Sequence, residues 1–364
     1  MDIQLPISKS VANRLQILGR DVLQGIPALD IPQDVLVMYN ALHSQEEDVN
    51  LYNCGTAMRF LTAYFALTPC RHTLLCDYRM SQRPIAPLVD ALRQLGAEIE
   101  YAGINGYPPL RIAGKHLKGG VVELDGKISS QFTSALMLCS HLTDNGITIR
   151  HSTPCVSRPY IELTQAIIDN PDYPVESDWS AAAFWYEYVA INDKQDITLK
   201  NLRLDSKQGD KVVADIFRQL GVETQADGND IRLVKTQPST ICLQCDFSHC
   251  PDLYPAVVAT CYALRIKTHF SGIDTLQYKE SNRIVAMQQA LMEIENRGQN
   301  IIVDSHNDHR IAMALAMLNT LYGNMTITNP ECVGKSYPRF WQQYEPLYEA
   351  NEQKKLASLP CRNQ

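Results

Sequence analysis

A chain of 364 residues, 45% hydrophobic and 20% charged, is long enough for two cores and too apolar for a disordered or fibrous protein. A formal net charge of −7 argues against a nucleic-acid partner held through phosphates, and no run approaches the eighteen or so apolar residues of a membrane span. The opening MDIQLPISKS lacks the basic-then-apolar pattern of a signal peptide, so a cytoplasmic protein is expected, its eleven scattered cysteines reading as reduced structural thiols.

In chain order, the first signal is Ser8-Lys9-Ser10-Val11-Ala12-Asn13-Arg14. Lys9 and Arg14 fall within a turn and a half of a helix start, where hydroxyls and free backbone donors suit a phosphate or carboxylate; a solvated helix with a Ser cap is the plainer alternative. Asn53-Cys54-Gly55-Thr56-Ala57-Met58-Arg59 puts Gly and Thr before an apolar helix at 56–67, so backbone can approach a ligand, although a Thr N-cap explains the same residues. Cys54 has no base nearby in sequence to make it a nucleophile. Arg83 opens a helix that belongs to an internal repeat: residues 80–96 align without gaps onto 205–221, sharing Ser81/Ser206, Asp90/Asp215 and RQLG. Each copy predicts a helix, a C-terminal glycine (Gly96 or Gly221), then strand, Gly/Asn turn and strand. Arg83 meets Gln208 in the second copy, a difference that points to function in the first.

Ser129-Ser130-Gln131 opens an apolar helix at 131–142, and Ser157-Arg158-Pro159-Tyr160 opens the next at 158–169. Helices apolar nearly all round are buried. Residues 170–178, with two prolines and no periodicity, mark the main crossover. Further helices are expected at 178–190, 251–264, 279–295 and 308–322. Cys242 and Cys245 have CxxC spacing without a second half, and the alternation around them favours a strand over zinc. Asp252 follows Pro251 at a helix start and is either an ordinary first-turn acid or a general base. Lys279, Glu280 and Arg283 are expected on one helix face, as a surface lattice or as an anion clamp with a proton donor. His309 and Arg310, two cations at a positive helix end, need an anion to offset them. Lys335, in VGKSYP, sits on a tight turn.

Taken in order, SKSVANR, NCGTAMRF, QRPIAPLVDALRQLGA, SSQFTSAL, SRPY, PDLYPAVVA, YKESNRI, NDHRIAMA and VGKSYP resemble the enolpyruvyl transferase family, and within it the EPSP synthases, from Ser8 to about Phe340. The resemblance implies an α/β fold of two similar domains of repeated βαβαββ units, each an inside-out barrel about a pseudo-threefold axis, with the active site in the cleft between them. It implies an N-terminal lobe at 9–177, a C-terminal lobe of 1–8 plus 178–349, and a polar tail at 350–364. The implied reaction moves the enolpyruvyl group of phosphoenolpyruvate to the 5-hydroxyl of shikimate 3-phosphate, a step in aromatic amino acid synthesis, with no metal or organic cofactor and a monomeric enzyme. By motif, Lys9, Ser10, Arg14, Ser129, Ser130, Gln131, Ser157, Tyr160, Asp252 and Lys279 are expected to hold shikimate 3-phosphate. Lys9, Asn53, Gly55, Arg83, Gln131, Arg283, His309, Arg310 and Lys335 are expected to hold phosphoenolpyruvate. Glu280 is the expected acid at carbon, Asp252 the base at the hydroxyl, and Lys9 a proton partner and charge stabiliser.

The chain is shorter than the family pattern, with losses expected at Gly19–Val49, Asp169–Val175 and Glu293–Asp304 that remove strands or hairpins from the repeat. Thr275, Asn282, Cys54 and Trp179 also depart from that pattern. Two other readings stand beside active transfer: an anion-binding homologue without turnover, favoured by the deletions, and the sister transferase acting on a UDP-amino sugar, whose cysteine loop is missing.

Overall fold

The computed structural model describes residues 1–364 except 128, 156, 194–195, 297–299 and 359–364. The chain begins with β1 (Asp2–Ile3), α1 (Lys9–Ile17) and α2 (Gln33–Leu42), then runs through β2 (Asp48–Asn50), α3 (Gly55–Ala66), β3 (Cys70–Leu75), α4 (Ala86–Gln94), β4 (Glu98–Tyr101) and β5 (Leu110–Gly114). These last six elements make one complete βαβαββ unit. Its sheet has the order β2-β3-β5-β4, with β2 parallel to β3 and the other pairs antiparallel.

After β6 (Gly120–Leu124), α5 (Ser130–Cys139), β7 (Ile147–His151) and α6 (Arg158–Asp169), the unit recurs in α7 (Trp179–Ile191), β8 (Ile197–Leu199), α8 (Val213–Gln219), β9 (Val222–Asp227) and β10 (Asp230–Lys235). Its first strand is β1, which comes from the other end of the chain. The order β1-β8-β10-β9, with β1 parallel to β8, repeats the first sheet's topology. The internal repeat therefore has a structural meaning. In each copy a short helix ends before a glycine at positive φ, +94° at Gly96 and +91° at Gly221, a conformation glycine adopts without steric penalty, and a hairpin follows.

The remainder is β11 (Cys242–Asp246), α9 (Tyr254–Ala263), β12 (Lys267–Ser271), α10 (Arg283–Glu295), β13 (Ile301–Val303), α11 (His309–Tyr322), β14 (Met325–Ile327) and α12 (Phe340–Ser358). The pairs β6–β7, β11–β12 and β13–β14 are parallel two-stranded sheets, each a βαβ step without a closing hairpin among the described residues. Of the three segments where losses were expected, Glu293–Asp304 holds strand β13 and includes 297–299, which lie outside the described residues. Between Gly19 and β2 there is a helix but no strand, and α6 leads to α7 within ten residues.

Two large apolar clusters form. One is built on α3, α4, α5 and their sheets; the other on α7, α9, α11 and theirs, with Ile3 and Leu5 from the N-terminus. A third, around Val11, Leu15, Val35, Leu163 and Tyr173, packs α1, α2 and α6 together. α7 is buried along its whole length, and α3 and α11 nearly so, as helices wrapped by sheets must be. Chain crosses between the lobes twice side by side: Ile7 bridges Ser177 antiparallel, the Ser8 N–H donates to the Glu176 carbonyl (2.8 Å) and the Asp178 N–H to that of Pro6 (3.0 Å). Among the described residues, no helix is long and apolar enough to cross a membrane.

Candidate active site

Four helix starts of the first lobe converge on one cleft. The Ser8 hydroxyl caps α1 by accepting from the Val11 N–H and that of Ser129 caps α5 by accepting from the Gln131 N–H at 3.2 Å. α3 begins at Gly55 with Cys54 as N-cap, so Thr56 is not the cap the sequence suggested. Its hydroxyl instead accepts from the Gln131 amide at 3.1 Å. α6 starts from Ser157, which is left-handed (φ +52°) and donates its N–H to Ser248 across the lobes. From the second lobe, Asp252, Lys279, Glu280, Arg283 and Arg310 complete a cleft of about 1080 Å³, open mouth included. Positive helix ends aimed at one space favour an anion there.

Three guanidiniums in this wall, those of Arg14, Arg59 and Arg83, form no ion pair with a carboxylate among the described residues. Arg59 donates to the carbonyls of Gly55 (3.1 Å) and Pro84 (3.3 Å), and both Arg59 and Arg83 donate to the Met80 thioether. Burial pushes Arg59 well below its ordinary value, and Arg83 adds to the push. Side by side, Arg59 and Arg83 feel the Glu280 carboxylate but form no ion pair with it, an arrangement that suits an incoming anion. Arg14 differs, because it donates to Thr164, Ser134 and the carbonyls of Ser10 and Tyr160 and lies 5.4 Å from the Phe60 ring centre; it buttresses the wall as much as it faces the cleft.

Opposite stands a carboxylate cluster organised by Arg283, which is 1% exposed. Its guanidinium donates to Asp308 (2.9 Å), Asp252 (2.7 Å) and Glu280 (2.9 Å). Asp252 also meets Lys279 (3.2 Å) and Arg310 (2.9 Å), and Glu280 meets Lys335 (3.3 Å). The expected helix at 279–295 starts only at Arg283, because the Asn282 side chain caps it by accepting from the Val285 N–H. Lys279 and Arg283 therefore do not share a helix face; they meet through Asp252. The anion required by the α11 start is also internal. Asp308 caps that helix by accepting from the Arg310 N–H, Arg310 pairs with Asp252, and His309, 1% exposed, is driven well below its ordinary value by burial and stays neutral.

Protonation follows from these contacts. Burial alone would raise Asp252, but Arg310, Lys279 and Arg283 outweigh it and hold the carboxyl well below the usual range. Glu280 behaves likewise under Lys335 and Arg283. Burial would lower Lys9, yet Asp34, 3.0 Å away, and Glu280 raise it, so its ammonium is retained. Asp210, which accepts from the Tyr160 hydroxyl (3.3 Å) and from Ser180, is pushed up to about 6 by burial and by the charge of Asp252. The Cys54 thiol is pushed up to about 12 by burial and Asp34, which leaves no thiolate for a nucleophile at neutral pH.

Of the residues expected from sequence, Lys9, Ser10, Arg14, Gly55, Arg83, Ser129, Ser130, Gln131, Ser157, Tyr160, Asp252, Lys279, Glu280, Arg283 and Arg310 line the cleft. Asn53, His309 and Lys335 lie behind that lining; Lys335 ties the Asn53 carbonyl (2.8 Å) to Glu280. Asp34 and Arg59 line it and were not expected. Arg59 was readable as the last residue of GTAMR, one turn from Gly55, whereas Asp34 had no signal, lying in the segment read as a loss. Among the described residues, no group of three or more His, Cys, Asp or Glu is placed to hold a metal ion, and Cys242 and Cys245 lie on strand β11.

Comparison with known proteins bears on the family and the fold. The family model for EPSP synthase (3-phosphoshikimate 1-carboxyvinyltransferase) matches residues 32–171 and 165–344. The chain is 38% identical to the 3-phosphoshikimate 1-carboxyvinyltransferase of Bacteroides fragilis, over 93% of each chain, and 30% identical to that of Haemophilus influenzae, over 95% of this chain and 96% of that one. The solved EPSP synthase of Acinetobacter baumannii superposes with a TM-score of 0.66 at 21% identity over 95% of both chains. On the family match across most of its length and the relatives at 30–38% identity, this chain belongs to the EPSP synthase family.

Proposed function

We infer that this chain transfers the enolpyruvyl group of phosphoenolpyruvate to the 5-hydroxyl of shikimate 3-phosphate, releasing phosphate. The observation that carries the reading is the placement, across one cleft, of the guanidiniums Arg59 and Arg83, which form no ion pair, opposite the carboxylates Asp252 and Glu280 fixed by Arg283. An anion receptor faces acid–base groups there, as addition to a phosphorylated enol requires.

In this reading the phosphate of shikimate 3-phosphate sits among Ser129, Ser130 and the α5 and α6 starts, with its ring toward Asp252 and Lys279. Phosphoenolpyruvate sits against Arg83, Arg59, Lys9 and Arg310. Asp252, ionised in the empty cleft, takes the proton of the 5-hydroxyl as its oxygen attacks C2 of phosphoenolpyruvate. The methylene carbon gains a proton and becomes a methyl group, giving a tetrahedral intermediate that keeps its phosphate. Loss of a methyl proton then expels phosphate and restores the double bond. Glu280 is the group at that carbon; Lys335 and Arg283 keep it ionised until substrate charge offsets them and raises its pKa. Lys9, cationic throughout, stabilises the intermediate.

Phosphate release by purified protein tests this directly. Release requiring both substrates, and abolished in Glu280→Gln, is the expected result. Shikimate 3-phosphate binding without release would favour a non-catalytic homologue instead.

A further inference from the structure

Arg79 belongs to none of the sets above, yet it joins the lobes at the cleft mouth. It lies just before the 3-10 turn Met80–Gln82 that links β3 to α4. Its Nε–H donates to the Glu280 carbonyl at 2.9 Å, and its Nη2 donates to the carbonyls of Lys279 (2.9 Å) and Gln277 (3.4 Å). The partners are about two hundred residues away in sequence and belong to the opposite lobe. Lys279 and Glu280 belong to the link between the 3-10 turn Asp274–Tyr278 and the capped start of α10, and Gln277 lies near the end of that turn. A link of that kind lies outside both helices, so its carbonyls need donors from elsewhere. A guanidinium suits the task, since its fixed fork can meet successive oxygens at once.

The same turn carries Arg83 at its other end, where Arg83 shares the Met80 thioether with Arg59. One short piece of backbone thus presents a cation to the cleft at Arg83 and a second to the far rim at Arg79. We propose that Arg79 is a latch, a positioning residue that grips the 277–280 segment and so holds Lys279 and Glu280 at the cleft only while the lobes are together. An anion drawn to Arg83 settles the turn and the latch with it, which couples occupancy of the first lobe to placement of Glu280 from the second. The activity arm of this inference rests on the transfer reading; the latch itself does not.

The test compares wild type with Arg79→Gln and Arg79→Lys. Arg79→Gln is expected to lower kcat about ten-fold or more, the scale of losing charge-assisted hydrogen bonds that place a reacting group. Affinity for shikimate 3-phosphate alone, measured by calorimetry, falls by less than kcat, since its phosphate is held by Ser129, Ser130 and the α6 start and only its ring meets Lys279. Arg79→Lys recovers part of kcat. Backbone amides of 277–282 exchange faster with solvent deuterium in Arg79→Gln than in wild type, while amides of α3 and α11 do not change. Unchanged kcat and unchanged exchange at 277–282 would overturn the latch, as would a fall of the melting midpoint together with kcat and faster exchange throughout α3 and α11, which marks a merely structural residue. If wild type releases no phosphate, the transfer reading fails by itself, and exchange at 277–282 still decides the latch.

Discussion

Gly55 shows how closely single atoms set this site. A Cβ on it would stand 2.6 Å from Arg83 Nη1 and 2.9 Å from Arg59 Nη1. What must yield are the ends of two side chains, not backbone. Gly55→Ala should therefore fold normally and raise KM for phosphoenolpyruvate about ten-fold, or ~1.4 kcal/mol, while KM for shikimate 3-phosphate moves little. Steady-state kinetics with each substrate varied in turn would check this, and equal changes in both constants would contradict it. Asp210 sets a pH dependence. Its folded value, about 6 against an ordinary 3.8, means that the folded protein holds this proton more tightly than the unfolded chain, so stability is lost as pH rises from about 4 through about 6. Asp210→Asn removes that titration. Its melting midpoint should exceed that of wild type by a few degrees at pH 7.5, with the gap closing near pH 4.5; a gap independent of pH would assign the proton elsewhere.

Among the elements, β1 is the smallest and is placed where little else could substitute. Its two residues pair with Thr198 and Leu199 and complete the second four-stranded sheet, and Ile3 is fully buried in the second lobe's core. Ile3→Ala should cost about 2–4 kcal/mol, read as a lower urea midpoint for the second lobe, with the first lobe's transition unmoved. The sequence made the two hairpins and most helices legible, because periodicity, glycine C-caps and serine caps are local signals. It also placed most of the cleft wall, since each motif sits at the start of its own helix. What it could not place were contacts made at a distance. Asp34 and Arg79 have partners on other elements, and the counter-charges for the α11 start, Asp308 and Asp252, differ in kind: one is the helix's own cap, the other lies 58 residues from Arg310. The start of α10 was misplaced by four residues although its cap, Asn282, was in plain view, because a Lys-Glu-x-x-Arg spacing resembles helix as readily as a loop folded around one guanidinium.

For the whole molecule, the sign of the cleft opposes that of the protein. The net charge is −7, whereas the cleft collects Lys9, Arg59 and Arg83 from one lobe and Lys279 and Arg310 from the other. Substrate attraction is thus short-ranged and screened by salt. Both KM values should rise several-fold between about 50 mM and 500 mM KCl, a range over which screening shortens markedly, while the melting midpoint of the empty protein moves far less. Salt-independent KM values would show that binding depends on hydrogen bonds rather than charge. The paired crossings at Pro6–Ser8 and Glu176–Asp178 bear on how such a cleft moves. A single connecting strand would let one lobe swivel freely about its own direction. Two strands bridged side by side behave like the two pins of a door: swing about the line across them stays easy, while twist would have to shear the Ile7–Ser177 bridge. Any opening of the lobes is therefore confined to one path, along which Arg83 and Glu280 would return to the same mutual address.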